Sequence, residues 1–428
     1  MNAGHLIRAL CIDRTPSGVR YLDSVLSLVA DTPVAHVSGQ EADSSYINRS
    51  VHPMFLTPRG PYPVWGIHGP LSPGDSMKAG QNLGSLLDEV ERVNKAKRDY
   101  LVPSTLLNHS TPSTTSMITF SSWTESITLQ VGDTARRQLA EKLGIPYKYF
   151  ERMRDEQPGL LDNNVNTWLG CSDETRMIRA LDGQVRAVLS NRYHRRDNFE
   201  LAKAVIPILR ELPDARVESC ALTADKLYIK VVTPRVEYEI SPGDVVCAGV
   251  VISNSETGMG SVAVSPLIYR LVCKNGLIAP DATVRRNHVG RALNSTDDAW
   301  QVFSDQTLIA DDTAFFMKMA DVVRDAVSVA TFESIAVKMA ATKGIVLKRH
   351  LPEAVELLCN RYALGRDEQD GILRHLAAGA DFTGYGLVNA VTGFSQEVPD
   401  YERATELEFV GGQLVGLENS GWATIAGI

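Results

Sequence analysis

The stretch from residue 216 to 273 restricts the fold more than any other part of the chain. It holds five runs, RVESCALT, KLYIKVVT, RVEYEI, DVVCAGVVISN and GSVAVSPLIYRLVC, each alternating or rich in β-branched residues. Turn residues separate them, among them Pro242-Gly243 and the loop from Ser253 to Gly260. Runs of this kind suit a pleated, half-buried surface, and short links join antiparallel neighbours. The block predicts a mostly antiparallel sheet.

Upstream, ETRMIRAL and QVRAVLSN flank Asp182-Gly183, a dipeptide that accepts the positive φ angles of a tight hairpin turn. Asp197, with Glu200 three residues later, matches a capping arrangement, and Leu201, Val205, Ile208 and Leu209 continue a helix to about Leu212. Two short helices precede the hairpin. Asp133 opens the first, which runs through Leu143 and stops at Gly144, and Pro146 opens the second. After about residue 297 the periodicity is helical throughout, with segments at 311–330, 332–343, 352–362, 367–378, 384–394 and 400–410.

Residues 1–125 are different in kind, rich in Pro, Gly, Ser and Thr, with one strong helical stretch from Leu86 to Arg98. Phe55, Tyr62 and Trp65 are too many large apolar groups for a disordered tail, so the region is expected to dock as an arm, including on a second copy of the chain. The expected fold class is therefore α+β: a central mostly antiparallel sheet with a β-hairpin and helix, followed by a helical C-terminal domain. The expected boundaries are 1–125 for the arm, 126–296 for the core and 297–428 for the helical domain.

Several function classes are excluded or unsupported. The longest apolar stretch, Val245 to Ile252, falls far short of the roughly 20 residues of a membrane-spanning helix. Arg8 and Asp13 break the N-terminal run before it could act as a secretory core, so a cytoplasmic protein is expected. The six cysteines form no C-x-x-C pair, and reduced thiols are expected. No glycine-rich phosphate loop of either common type is present, and the expected cofactor is none. Neither a nucleophile elbow nor a zinc-binding histidine pair occurs among the nine histidines.

One constellation stands out. Between Arg176 and Arg196 the chain carries Arg176, Arg179, Arg186, Arg192, Arg195 and Arg196, with Tyr193 and His194 among them and Asp182 as the only acid. Guanidinium forks hold phosphates and a neighbouring aromatic can stack on a base. A second group follows the last strand-like run: Arg270, Lys274, Arg285, Arg286, His288 and Arg291. If a sheet brings both groups to one face, they form a positive groove on a chain whose formal net charge is -8. The competing expectation is a structural network, in which these arginines cover apolar surface and pair with Asp and Glu. A third possibility is two-metal chemistry by Glu218, Glu237, Glu239 and Asp244, although Glu237 and Glu239 alternate with Val236, Tyr238 and Ile240 as on a half-solvated strand.

The stretches VRAVLSNRYHRRDN, AGVVISNSETGMGSVAVSPLIYRLVCKNGLI and RRNHVGR resemble blocks of the phage- and plasmid-encoded proteins of domain-of-unknown-function family 932. The likeness extends from about residue 120 to 415 and implies a phage or mobile-element protein, in the host cytoplasm if phage-encoded. It brings no catalytic residue. A looser likeness, in element order and charge, is to phage single-strand-annealing proteins of the Red-beta, RecT and Erf type.

The leading expectation is a protein that binds single-stranded DNA, or RNA, and anneals or protects it as a homo-oligomer. Arg176, Arg186, Arg192, Arg195, Arg196, Arg285, Arg286 and Arg291 are the expected phosphate contacts, with Tyr193 and His194 against bases. The alternatives are a metal-dependent nuclease or nucleotide-processing enzyme using Asp197, Asp244 or the strand glutamates, and a non-enzymatic protein-interaction factor.

Overall fold

The computed structural model of the chain describes residues 10–11, 80–121, 125–280, 284–286 and 305–428. Seven strands form a first sheet: β1 (Leu10–Cys11), β2 (Arg98–Pro103), β3 (Asn108–Ser110), β4 (Met117–Ser121), β5 (Ser126–Val131), β6 (Thr175–Leu181) and β7 (Gln184–Ser190). Their order is β1-β2-β6-β7-β5-β4-β3, antiparallel except between β5 and β7. A second sheet runs β12-β11-β10-β9-β8, from β8 (Arg216–Leu222), β9 (Leu227–Ser241), β10 (Asp244–Asn254), β11 (Val262–Arg270) and β12 (Asn275–Ile278). A further strand, β13 (Val284–Arg286), pairs with β11. The expected α+β class, with hairpin, mostly antiparallel strands and a helical C-terminal region, is the one observed.

The hairpin forms as its turn chemistry dictates. Asp182 and Gly183 both take positive φ, 51° and 78°, as the favoured two-residue turn requires. In the second sheet, the runs expected as two strands before Pro242 are the single strand β9. Pro234 lies inside it at no cost in pairing, because β8 ends its pairing at Val232 and the ladder to β10 shifts register between Cys247 and Ala248.

Helices α1 (Leu83–Ala96), α2 (Asp133–Lys142), α3 (Tyr147–Glu156) and α4 (Pro158–Gly170) belong to the first half of the chain. The third of this group's late helices, α4, is absent from the sequence expectations. Leu139, Phe150, Leu161 and Val165 from α2–α4 share a core with Ile118, Phe120, Ile178 and Val188 of the first sheet. The boundary drawn at 125 does not mark an edge of this fold, since β2, β3 and β4 precede it in sequence and lie inside the sheet. Between 98 and 121, Pro and Ser punctuate short strands, and residues 12–79 of the expected arm lie outside the described residues. Phe55, Tyr62 and Trp65 lie outside the described residues.

Helix α5 (Asn198–Glu211) links the sheets. The C-terminal helices are α6 (Asp305–Ala326), α7 (Val329–Ala341), α8 (Leu351–Tyr362), α9 (Arg366–Gly379), α10 (Gly384–Phe394), α11 (Tyr401–Val415) and α12 (Asn419–Ala426), the last of which the sequence reading did not include. They do not form a core of their own: Phe332, Met339, Leu358, Ile372, Val388 and Leu407 pack in one cluster with Val246, Ala248, Ile268 and Leu277 of the second sheet. Short amphipathic helices need an apolar wall, and the sheet supplies it. The change of periodicity near 297 is thus a change of element type within one core.

A buried ion pair fastens these layers. Lys230 on β9 and Glu408 on α11, 1% and 0% exposed, pair at 2.6 Å, with the ammonium 4.9 Å from the Tyr401 ring centre. A lone charge left in such a place costs far more than the pair gains. Replacing Glu408 by Leu should therefore destabilise the protein by about 3–5 kcal/mol, and adding Lys230→Met should restore most of that loss. Urea midpoints of the two variants check this, and equal losses in both would contradict it.

In the first sheet, His109 is buried, with Nδ1 2.9 Å from Asp162 Oδ1. Burial pulls the imidazole below its ordinary value against the opposing pull of Asp162. Because the unfolded chain then binds the proton more readily, stability from the neutral ring is intact above about pH 6.5 and lost as pH falls from there. The denaturation midpoint should drop on acidification from neutral to about pH 5.5, and drop less in His109→Gln.

Candidate nucleic-acid interface

The centre of the basic hairpin is closed to solvent. Arg179, on β6, is 0% exposed. Its Nε donates to Asp99 Oδ1 at 2.9 Å, Nη2 to Asp99 Oδ2 at 3.2 Å and Asp197 Oδ1 at 2.8 Å, and Nη1 to the Glu256 carbonyl at 2.9 Å. Lys97 Nζ reaches the other Asp197 oxygen at 2.6 Å. Burial by itself would raise the Asp197 pKa, but Arg179 and Lys97 outweigh it and hold the carboxyl far below its usual range.

Glu256 completes the arrangement from the β10–β11 loop. One carboxylate oxygen accepts from Arg186 Nη2 at 2.8 Å, and the other accepts the backbone N–H of Asn198 at 2.7 Å. Helix α5 begins where expected, after Asp197. Its cap, however, is not the local Asp197–Glu200 arrangement: the Asp197 side chain makes no capping bond, and Glu256 satisfies the first N–H from 58 residues away. Asn254 Nδ2 donates to the Arg196 carbonyl at 2.9 Å and to Asn198 Oδ1 at 2.8 Å, and the Tyr193 hydroxyl donates to the Ser255 carbonyl at 3.1 Å. The 191–197 loop is therefore bolted to the loop that starts at Asn254.

The expected phosphate contacts divide into two kinds. Arg176 is buried and pairs with Glu174, and Arg186 is occupied by Glu256. Arg196, with a side chain 4% exposed, lies 3.2 Å from Asp312 and places its guanidinium 5.4 Å from the Phe315 ring centre. His194 Nε2 is 2.8 Å from Asp312 Oδ1. Arg192 is exposed, and Arg195, 24% exposed, stands 3.5 Å from Asp99. Arg285 and Arg286 are on β13, and Arg291 lies outside the described residues.

The two basic groups converge along the backbone. Arg285 and Arg286 pair with Ala263 and Val262 on β11. On the other side of β11, Ala263 pairs with Ser253, the residue before the Asn254–Thr257 segment that holds the 191–197 loop. Two strand spacings, roughly 10 Å, separate β13 from β10.

The carboxylates of the metal reading are engaged elsewhere. Asp244 accepts from Arg270 at 2.6 and 2.8 Å and from the Tyr385 hydroxyl at 2.5 Å. Glu218 accepts from the Tyr269 hydroxyl at 2.7 Å. Glu237 and Glu239 are exposed while Val236, Tyr238 and Ile240 pack inward, the alternation their spacing predicts. Among the described residues, no three His, Cys, Asp or Glu side chains are grouped to hold a metal ion.

Sequence reasoning missed Lys97, Asp99 and Glu256. The available signal was an Asp inside the strand-like RDYLVP and a lone Glu inside SNSETGMG, both odd in buried settings. Replacing Arg179 by Met should strand two buried carboxylates and destabilise the chain by about 3–5 kcal/mol. Because Asp197 titrates below its unfolded value of about 3.9, its contribution is present above that pH and lost as pH falls through the acid range. Asp197→Asn should accordingly flatten the acid limb of a stability-against-pH curve, and an unchanged limb would contradict the assignment.

Comparison with known proteins places these features. No curated protein and no solved structure matches the chain. The model of the family described as domain of unknown function (DUF932) matches residues 187–408, from β7 through the 191–197 loop and the second sheet to α11. That is just over half of the sequence, and the chain belongs to the DUF932 family.

Proposed function

We propose that this chain is a phage- or mobile-element-type protein that binds single-stranded nucleic acid, DNA or RNA, and that annealing of complementary strands is the use of that binding. The observation that supports it most is the meeting of two arginine groups, some ninety residues apart, at one end of the second sheet. On a chain with a formal net charge of -8, such a local field is what a polyanion would find.

The proposed contacts are narrower than the full arginine set. Arg192 and Arg195 on the loop and Arg285 and Arg286 on β13 take phosphates. Arg176 is taken up by Glu174; Arg179, Arg186 and Arg196, with their carboxylate partners, give the loop its shape, and Tyr193 and His194 hold it to Ser255 and Asp312. No base is read in this arrangement, so binding is indifferent to sequence.

Fluorescence anisotropy of a labelled oligothymidylate across a sodium chloride series tests this. The parent should bind, and Arg192→Ala with Arg195→Ala should weaken binding and lower the slope of log affinity against log salt by about 0.7 per lost contact. Circular dichroism should show an unchanged fold, since neither side chain is buried. A folded double variant with the parent's affinity and slope would remove this surface from the proposal. Cleavage of the oligonucleotide on adding magnesium would favour the nuclease alternative.

A further inference from the structure

We infer that Asp311 and Asp312, on the first turns of α6, are a built-in counter-charge that competes with nucleic-acid phosphate for the 191–197 loop. This rests on the nucleic-acid reading above and goes beyond it, because it assigns a restraint on binding to residues outside the basic groups. Asp312 is shared by His194 at 2.8 Å and Arg196 at 3.2 Å, and Asp311 stands 3.7 Å from the Arg196 guanidinium. Both carboxylates reach water: Asp311 is 48% and Asp312 27% exposed, although Arg196 beneath them is not.

Anchorage of the helix decides how the competition works. Phe315, Met319, Val323 and Ala326 are buried, so α6 is fixed by an apolar stripe that continues from the acidic turns at the helical period. A bound polyanion would not displace the helix. It would instead meet two fixed negative charges at the 191–197 loop, set against His194 and Arg196. Carboxylates fixed on the loop occupy its donors and repel an external phosphate, so they lower the affinity of the external ligand.

The test is Asp311→Asn with Asp312→Asn, measured by oligothymidylate anisotropy over the same salt series as the parent. Removing two partly exposed like charges should tighten binding about fivefold. Thermal unfolding monitors the fold, because Asp312 also neutralises a buried arginine. Should the double variant misfold, Asp311→Asn alone carries the test, with a smaller gain of about twofold. A folded variant with the parent's affinity overturns the inference and leaves the binding reading intact. Binding by neither parent nor variant overturns both, and binding by the variant alone supports both.

Discussion

A guanidinium with no exposure to water cannot be tolerated without several fixed acceptors, and Arg179 finds them in three separate places. Asp99 is 80 residues away, Asp197 is 18 and the Glu256 carbonyl is 77. The first lies on β2, the second at the start of α5 and the third in the loop between β10 and β11. Satisfying one side chain therefore fixes the central strands of the first sheet, the entry to the connecting helix and the end of the second sheet in a single arrangement. The net attraction of such a group is modest once desolvation is counted, but alternatives that leave it unpaired are costly. Its role is to exclude other packings more than to add stability.

The same arrangement separates two uses of arginine within a short stretch. Arg179, Arg186 and Arg196 have their charge spent on Asp99, Asp197, Glu256 and Asp312, and their forks set backbone positions. Arg192, two residues beyond β7, points its charge into a high-dielectric setting where it has little effect on stability. A basic run is thus not one surface. The residues that fold it and the residues that could serve a ligand alternate along the chain, and only the burial pattern tells them apart.

The fold class was legible because its signals are local. The Asp182-Gly183 turn, the Gly144 stop and the helical spacing of 352–362 or 384–394 act over a few residues and appear in the structure where the sequence puts them. What escaped is non-local. The strands β2–β4 were hidden in a Pro- and Ser-rich stretch, because short strands bounded by turns have the composition of a linker. β12, the four residues that directly follow the Lys274 turn, was too short to register. The division into two sheets, and the seating of the C-terminal helices on the second, depend on which apolar faces meet. At the site, the arginines were conspicuous in sequence, but their partners were not: Asp99 and Glu256 are single acids within otherwise ordinary stretches, and Asp312 is half of an Asp pair more than a hundred residues from His194 and Arg196, which it meets. Asp197 and Glu200 even suggested a local cap that the folded chain replaces with a distant one.

The family match gives this distribution a further meaning. It begins at residue 187, so Asp197 and Glu256 fall inside it whereas Arg179, Asp99 and Lys97 fall outside. Among the described residues of the matched region, two buried carboxylates stand at the start of α5 and the buried guanidinium beside them, Arg196, is turned toward Asp312. Asp197 takes its cations from Arg179 on β6 and from Lys97, Glu256 takes Arg186 on β7, and β6 in turn is held in place by β2. The matched region is therefore not electrically complete by itself. It needs a preceding sheet that delivers a guanidinium to the mouth of α5, and here 98–181 supplies that sheet. The 191–197 loop is therefore held from both sides of that boundary, by Asn254, Ser255 and Asp312 inside the matched region and by Arg179 and Lys97, through Asp197, outside it.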